Sequence, residues 1–129
     1  MSSFTTPLKY SYIRKEWRNI YSIDEPFQYY SGDKDNPDLV INVPIGFETD
    51  LASIPWPVSK IFKPDGKYAK AAVIHDYLLY LIKNDTPMVN RKTADSIFYE
   101  AMLVLKIPKY KAYIFYRSVR LYSVLYRKS

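Results

Sequence analysis

Beyond residue 66, apolar side chains recur three and four positions apart, and this spacing predicts three helices. The first covers 67–82. It stops at Lys83-Asn84-Asp85-Thr86-Pro87, where asparagine and the following proline suit a helix end. The second starts after Asn90, a residue type that accepts hydrogen bonds from the first free backbone N–H groups, and runs to 105. Ile107-Pro108 breaks it. The third covers 109–126, with Ala112, Phe115, Tyr116, Val119, Tyr122 and Tyr126 on one stripe. The first two helices are joined by a short connection and are expected to pack antiparallel.

The first half has strand signals instead. Residues 1–16 begin polar and extended. Trp17, Ile20, Tyr21 and Ile23 form one aromatic and β-branched run, and Phe27, Tyr29 and Tyr30 form another after Asp24-Glu25-Pro26. The pair predicts a β-hairpin or two short antiparallel strands within 15–30. Ser31 to Asp38 is turn chemistry and lacks the spacing of a calcium-binding EF-hand. Leu39-Val40-Ile41-Asn42-Val43-Pro44 is a third strand ended by proline, and Gly46-Phe47-Glu48-Thr49 a short fourth. In Asp50-Leu51-Ala52-Ser53-Ile54-Pro55-Trp56-Pro57 the prolines forbid regular structure and give a stiff loop. The expected fold class is α+β: a small antiparallel sheet followed by three helices, in a single domain over 1–129.

Composition narrows the chemistry. With no cysteine among 129 residues, disulfides, thiolate catalysis and thiolate zinc sites are excluded. The start lacks the basic and apolar regions of a signal peptide. No apolar run reaches the roughly 18 residues of a membrane-spanning helix. The net charge of +6 is uneven: after Glu100 there is no acidic residue, while Lys106, Lys109, Lys111, Arg117, Arg120, Arg127 and Lys128 follow. Arg117, Arg120 and Arg127 are candidate contacts for phosphate on a membrane surface or on nucleic acid. A solvated basic helix face is the other reading.

The apolar pattern is interrupted at one informative place. Ala71-Ala72-Val73-Ile74-His75-Asp76-Tyr77-Leu78-Leu79-Tyr80 reads as buried helix, yet it holds the only histidine, directly before an aspartate. Such a pair needs partners. In an antiparallel hairpin, His75 and Asp95 lie at comparable depth from the turn, and Asp95 shares an apolar stripe with Phe98 and Met102. An imidazole N–H bonded to Asp95 would fix the ring tautomer and leave the other nitrogen to act as a base. Asp76, about 100° further round the helix, is then an oxygen ligand. Asp50 on its stiff loop offers a second carboxylate, a donor set that suits calcium before zinc. Alternatively, His75 is a core histidine satisfied by Asp95, and Asp76 a surface residue or a brace from helix to loop.

Two resemblances follow from these residues. Gly46-Phe47-Glu48-Thr49-Asp50-Leu51-Ala52-Ser53-Ile54-Pro55, then Ala71 to Leu78, then Arg91-Lys92-Thr93-Ala94-Asp95-Ser96-Ile97-Phe98-Tyr99-Glu100-Ala101-Met102 resembles a small, mostly phage-encoded family of unknown function, DUF family 1353. That resemblance implies a tailed-phage or prophage origin and no established activity; the expected location is the host cytoplasm where the chain is made, or the virion. More locally, His75-Asp76 with Ala94-Asp95, Phe98 and Met102 is similar to the two-helix core of bacterial and fungal phospholipases A2. This second resemblance implies that His75 activates water and that Asp95 orients the imidazole. Asp76 would bind calcium together with Asp50 and the Leu51 carbonyl.

The functional expectation is therefore a metal-assisted hydrolase with a His-Asp dyad, acting on lipid esters or the cell envelope. The alternative is a non-enzymatic virion or accessory protein that binds a phage structural protein through aromatic and basic surface. Nucleic-acid binding by the last helix ranks third, since charge alone carries it.

Overall fold

The computed structural model describes residues 2–4, 6–15, 19–32, 37–49 and 66–122. The chain divides into two compact units, Met1–Leu51 and Ala52–Ser129. The architecture is α+β, with two small antiparallel sheets in the first unit and three helices in the second.

The first unit contains β1 (Ser3–Phe4), β2 (Tyr10–Lys15), β3 (Asn19–Ile23), β4 (Phe27–Gly32), β5 (Pro37–Val43) and β6 (Glu48–Thr49). One sheet has the order β1-β4-β5 and the other β2-β3-β6. In the β4–β5 pair, period-two alternation decides the core. Phe27 lies opposite Val43 and Tyr29 opposite Ile41, all buried. On the other face Gln28 Nε2 donates to Asn42 Oδ1 at 2.6 Å. From β1, the Phe4 ring lies 5.4 Å from that of Phe27 and 4.6 Å from that of Tyr29. Backbone N–H groups of β4 at Gln28 and Gly32 donate to Thr6 Oγ1 and Ser2 Oγ.

Within 15–30 two short strands form, but not as a hairpin, because β3 and β4 lie in different sheets; the expected small sheet is two. β3 pairs with β2, setting Tyr12 against Tyr21, and with β6, while β4 pairs with β5 and β1. Hydrogen bonding at Ile23 explains the separation. Its N–H donates to the Phe47 carbonyl and its own carbonyl accepts from Gly46 N–H, so the residue that would open a hairpin is bonded to the turn between β5 and β6. The Asp24 N–H in turn donates to the Lys9 carbonyl.

Gly32 sits at φ +97°, and a Cβ there would lie 2.9 Å from Asp38 Oδ2 and 3.0 Å from Asp38 N. Gly46, at φ +87°, has nothing within 4 Å of such a Cβ. Both positions carry the backbone penalty of roughly 1–2 kcal/mol for an L side chain, and only Gly32 adds crowding, against the Asp38 carboxylate and its backbone nitrogen. Gly32→Ala is therefore expected to lower the thermal midpoint more than Gly46→Ala. Equal shifts in a melting series would contradict this.

The second unit contains α1 (Gly66–Lys83), α2 (Arg91–Val104) and α3 (Lys109–Tyr122). Asn90 caps α2, its side chain accepting from Thr93 N–H at 2.8 Å. α1 and α2 both close on a left-handed residue. At Asp85 (φ 60°), Thr86 N–H bonds the Leu81 carbonyl. At Lys106 (φ 62°), Ile107 N–H bonds the Met102 carbonyl. Buried Ile107 is the apolar residue that accompanies such a stop. The third helix was expected to reach 126, and the part past Tyr122 lies outside the described residues.

Ring contacts fix how the helices run. Tyr68 meets Phe98, while His75, further along α1, bonds Asp95, earlier on α2, so the two helices are antiparallel. Tyr99 of α2 meets Tyr113 and Tyr116 of α3, and Asp95 meets Arg120, so these two helices are antiparallel as well. Tyr68 also contacts Phe115, so α1 touches both partners. Ala71, Ala72, Ala94, Ala101 and Ala112 are all buried; small side chains at these positions let the helix backbones approach closely.

Candidate functional site

His75 and Asp95 are both buried, with 1% and 0% of their surface exposed. His75 Nε2 lies 2.6 Å from Asp95 Oδ1. α1 brings the imidazole and α2 the carboxylate, as the short connection and matching depths predicted. The histidine pKa is lowered from its ordinary 6.5, chiefly because burial disfavours the charged ring. The hydrogen bond and negative charge of Asp95 oppose this, and the positive charge of Arg91 adds to it. The ring is accordingly neutral at pH 7. A neutral ring bonded to a carboxylate through Nε2 carries its proton there and donates it, which leaves a lone pair on Nδ1. Phe98 backs the imidazole, with ring centroids 4.7 Å apart and an interplanar angle of 29°.

Among the described residues, two arginines approach Asp95 besides the imidazole. Arg120 Nη1 donates to Asp95 Oδ2 at 3.0 Å, and Arg91 Nε stands 3.6 Å from Oδ1. Arg91 had a readable signal, since it precedes Asp95 by one helical turn. Arg120 had none. It was expected on an exposed basic face with Arg117 and Arg127, but its side chain is only 15% exposed and turned to Asp95. Arg117 is exposed, and Arg127 lies outside the described residues.

The candidate cation ligands are placed in part. Asp76 is half-buried, one position beyond His75 on α1. Asp50 and Leu51 lie outside the described residues. Among the described residues, no three histidine, cysteine, aspartate or glutamate side chains converge as a metal site. No helix among them is long and apolar enough to cross a membrane.

The stability of this arrangement depends on pH in a definite direction. Because the folded-state pKa of His75 is depressed, the unfolded chain binds more protons once the pH falls below 6.5. The contribution is fully present above that value and is lost as pH falls through the lower folded-state pKa. Urea unfolding from pH 8 down to pH 5 should show wild type losing stability relative to His75→Gln, with the two curves parallel above 6.5. Parallel curves throughout would show that the ring is not held neutral.

Fold and site together describe an α+β chain with a buried His-Asp pair between antiparallel helices. The family model described as "Protein of unknown function (DUF1353)" matches residues 21–119, and the chain belongs to that family. The match takes in His75, Asp95 and Arg91 and ends immediately before Arg120. No curated protein and no solved structure matches the chain.

Proposed function

We propose that this protein is a hydrolase in which His75 is the general base and Asp95 orients it. The observation that carries this reading is the 2.6 Å bond from His75 Nε2 to Asp95 Oδ1. It assigns the proton to one ring nitrogen and leaves Nδ1 able to take a proton from water. A neutral imidazole is already in the form a base requires. The ring is 1% exposed, so the reading includes an opening step that admits water and substrate. Lipid esters or cell-envelope polymers are the proposed substrates, in a phage setting. Asp76, with Asp50 and the Leu51 carbonyl, is proposed to hold calcium, which would polarise a carbonyl.

The test combines hydrolysis assays and calorimetry. Phosphatidylglycerol vesicles, para-nitrophenyl butyrate and peptidoglycan are assayed with and without calcium, and calcium binding is measured for wild type and Asp76→Asn. Loss of general-base catalysis in His75→Gln should lower turnover by about 10²-fold or more while the helical signal is kept. No turnover of any substrate together with no calcium heat would end this reading.

A second reading is favoured by one surface. Tyr110, Tyr113 and Leu121 are 65%, 51% and 59% exposed, and with exposed Arg117 they form one stripe along α3. A non-enzymatic virion or accessory protein would use such a stripe against a structural partner. It predicts co-purification with phage particles that Tyr113→Ala weakens and His75→Gln leaves intact.

A further inference from the structure

We infer that Arg120 is a positioning residue of the candidate site, holding Asp95 so that Asp95 can hold the His75 ring. The inference deepens the hydrolase reading and rests on it for its kinetic part.

The geometry divides the two oxygens of one carboxylate between two helices. Oδ1 accepts from His75 on α1 at 2.6 Å, and Oδ2 accepts from Arg120 on α3 at 3.0 Å. An aspartate carboxylate turns easily about its last torsion, so one hydrogen bond alone leaves its plane free to rotate. A second donor on the other oxygen, from a separate element, removes that freedom. Arg91 is not an equivalent restraint, because it approaches the oxygen that His75 already uses, at 3.6 Å. Asp95 itself is 0% exposed, so water is a poor substitute for Arg120. With the carboxylate plane set, Nε2–H has one acceptor direction, and the opposite nitrogen is fixed as the unprotonated one. Among the described residues, the groups facing the ring are Asp95, Arg91 and Phe98 from α2, and Arg120 acts from α3 through Asp95.

On this account the third helix does more than cover the hairpin. Its last described turn completes the orientation of a group on the first helix, through a residue of the second.

His75 is the sole histidine, so ¹⁵N NMR of the full untagged chain at pH 8 reads its ring directly. Wild type should show a single tautomer protonated at Nε2. Arg120→Met, which keeps the side-chain stem and removes its charged head, should show mixed tautomers. In the same variant, kcat on para-nitrophenyl butyrate should fall by on the order of tenfold or more with KM little changed, as expected for lost orientation. Arg120→Lys should restore the single tautomer. Val119→Ala loosens the packing of α3 without touching Asp95 and should leave the ring as in wild type. Should Arg120→Met fail to fold, Arg120→Gln is read by the same signature. A wild-type ring in whichever of these two variants folds would overturn the inference, and so would equal mixing in Val119→Ala. If wild type hydrolyses nothing, the hydrolase reading falls, and the ring signature alone decides whether Arg120 positions His75.

Discussion

Asp95→Ala should lower folding stability by about 3–5 kcal/mol, the usual cost of removing one side of a buried charged pair. The size follows from what the substitution strands. The Arg120 and Arg91 guanidinium groups would each lose their nearby carboxylate. The His75 N–H would lose its acceptor, and the imidazole is 1% exposed, so water cannot easily replace it. Asp95→Asn keeps the shape and one acceptor oxygen and should cost less, but it removes the charge that both arginines face. His75→Gln should cost less again, because the pairing of Asp95 with Arg120 survives. Urea titrations of the three variants give the order directly. A loss below about 1 kcal/mol for Asp95→Ala would mean that solvent reaches the cluster after all.

Phe98→Ala is expected to cost a similar amount, about 3–5 kcal/mol, for a different reason. Phe98 is 1% exposed and lies between two side chains of α1: its ring is 4.7 Å from that of His75 and 5.8 Å from that of Tyr68. Truncation removes the apolar burial of a 1% exposed ring and leaves a cavity in the helical core. It also takes away the surface against which the neutral imidazole rests. The effects of Phe98→Ala and His75→Gln should therefore not add, since the two rings touch. Strict additivity in a double-mutant cycle would show that the stack contributes nothing beyond filled volume.

These two predictions meet at a site that was partly legible in the chain. The spacing of apolar residues determined the three helices, and Asn90 determined where α2 begins, because capping and amphipathic periodicity are local properties. Helix direction and depth also followed from the chain, since a short connection leaves few ways for α1 and α2 to pack. That is why the chain alone pairs His75 with Asp95. Strand existence was equally local. Phe27 and Tyr29 flank Gln28, and Ile41 and Val43 flank Asn42, so that each pair shares a face by period two.

Strand partnership was not local. An extended segment satisfies its backbone with any neighbour of suitable register. The choice of β2 and β6 for β3, and of β1 and β5 for β4, depended on hydrogen bonds from Ile23 to residues more than twenty positions away. Arg120 shows the same limit at the site. Its charge and helical position suit a solvated basic face as well as a buried ion pair. Packing of α3 against α2 set which way it turns, by placing its guanidinium 3.0 Å from Asp95 Oδ2. By itself, then, the sequence determined the three helices, the strands after residue 18, the Asn90 cap and the His75–Asp95 pairing, because each follows from local spacing or a short connection; strands β1 and β2 and the left-handed helix stops were not legible in it. The tertiary structure alone decided which strands share a sheet and that a third helix closes the carboxylate, because both rest on contacts between distant segments.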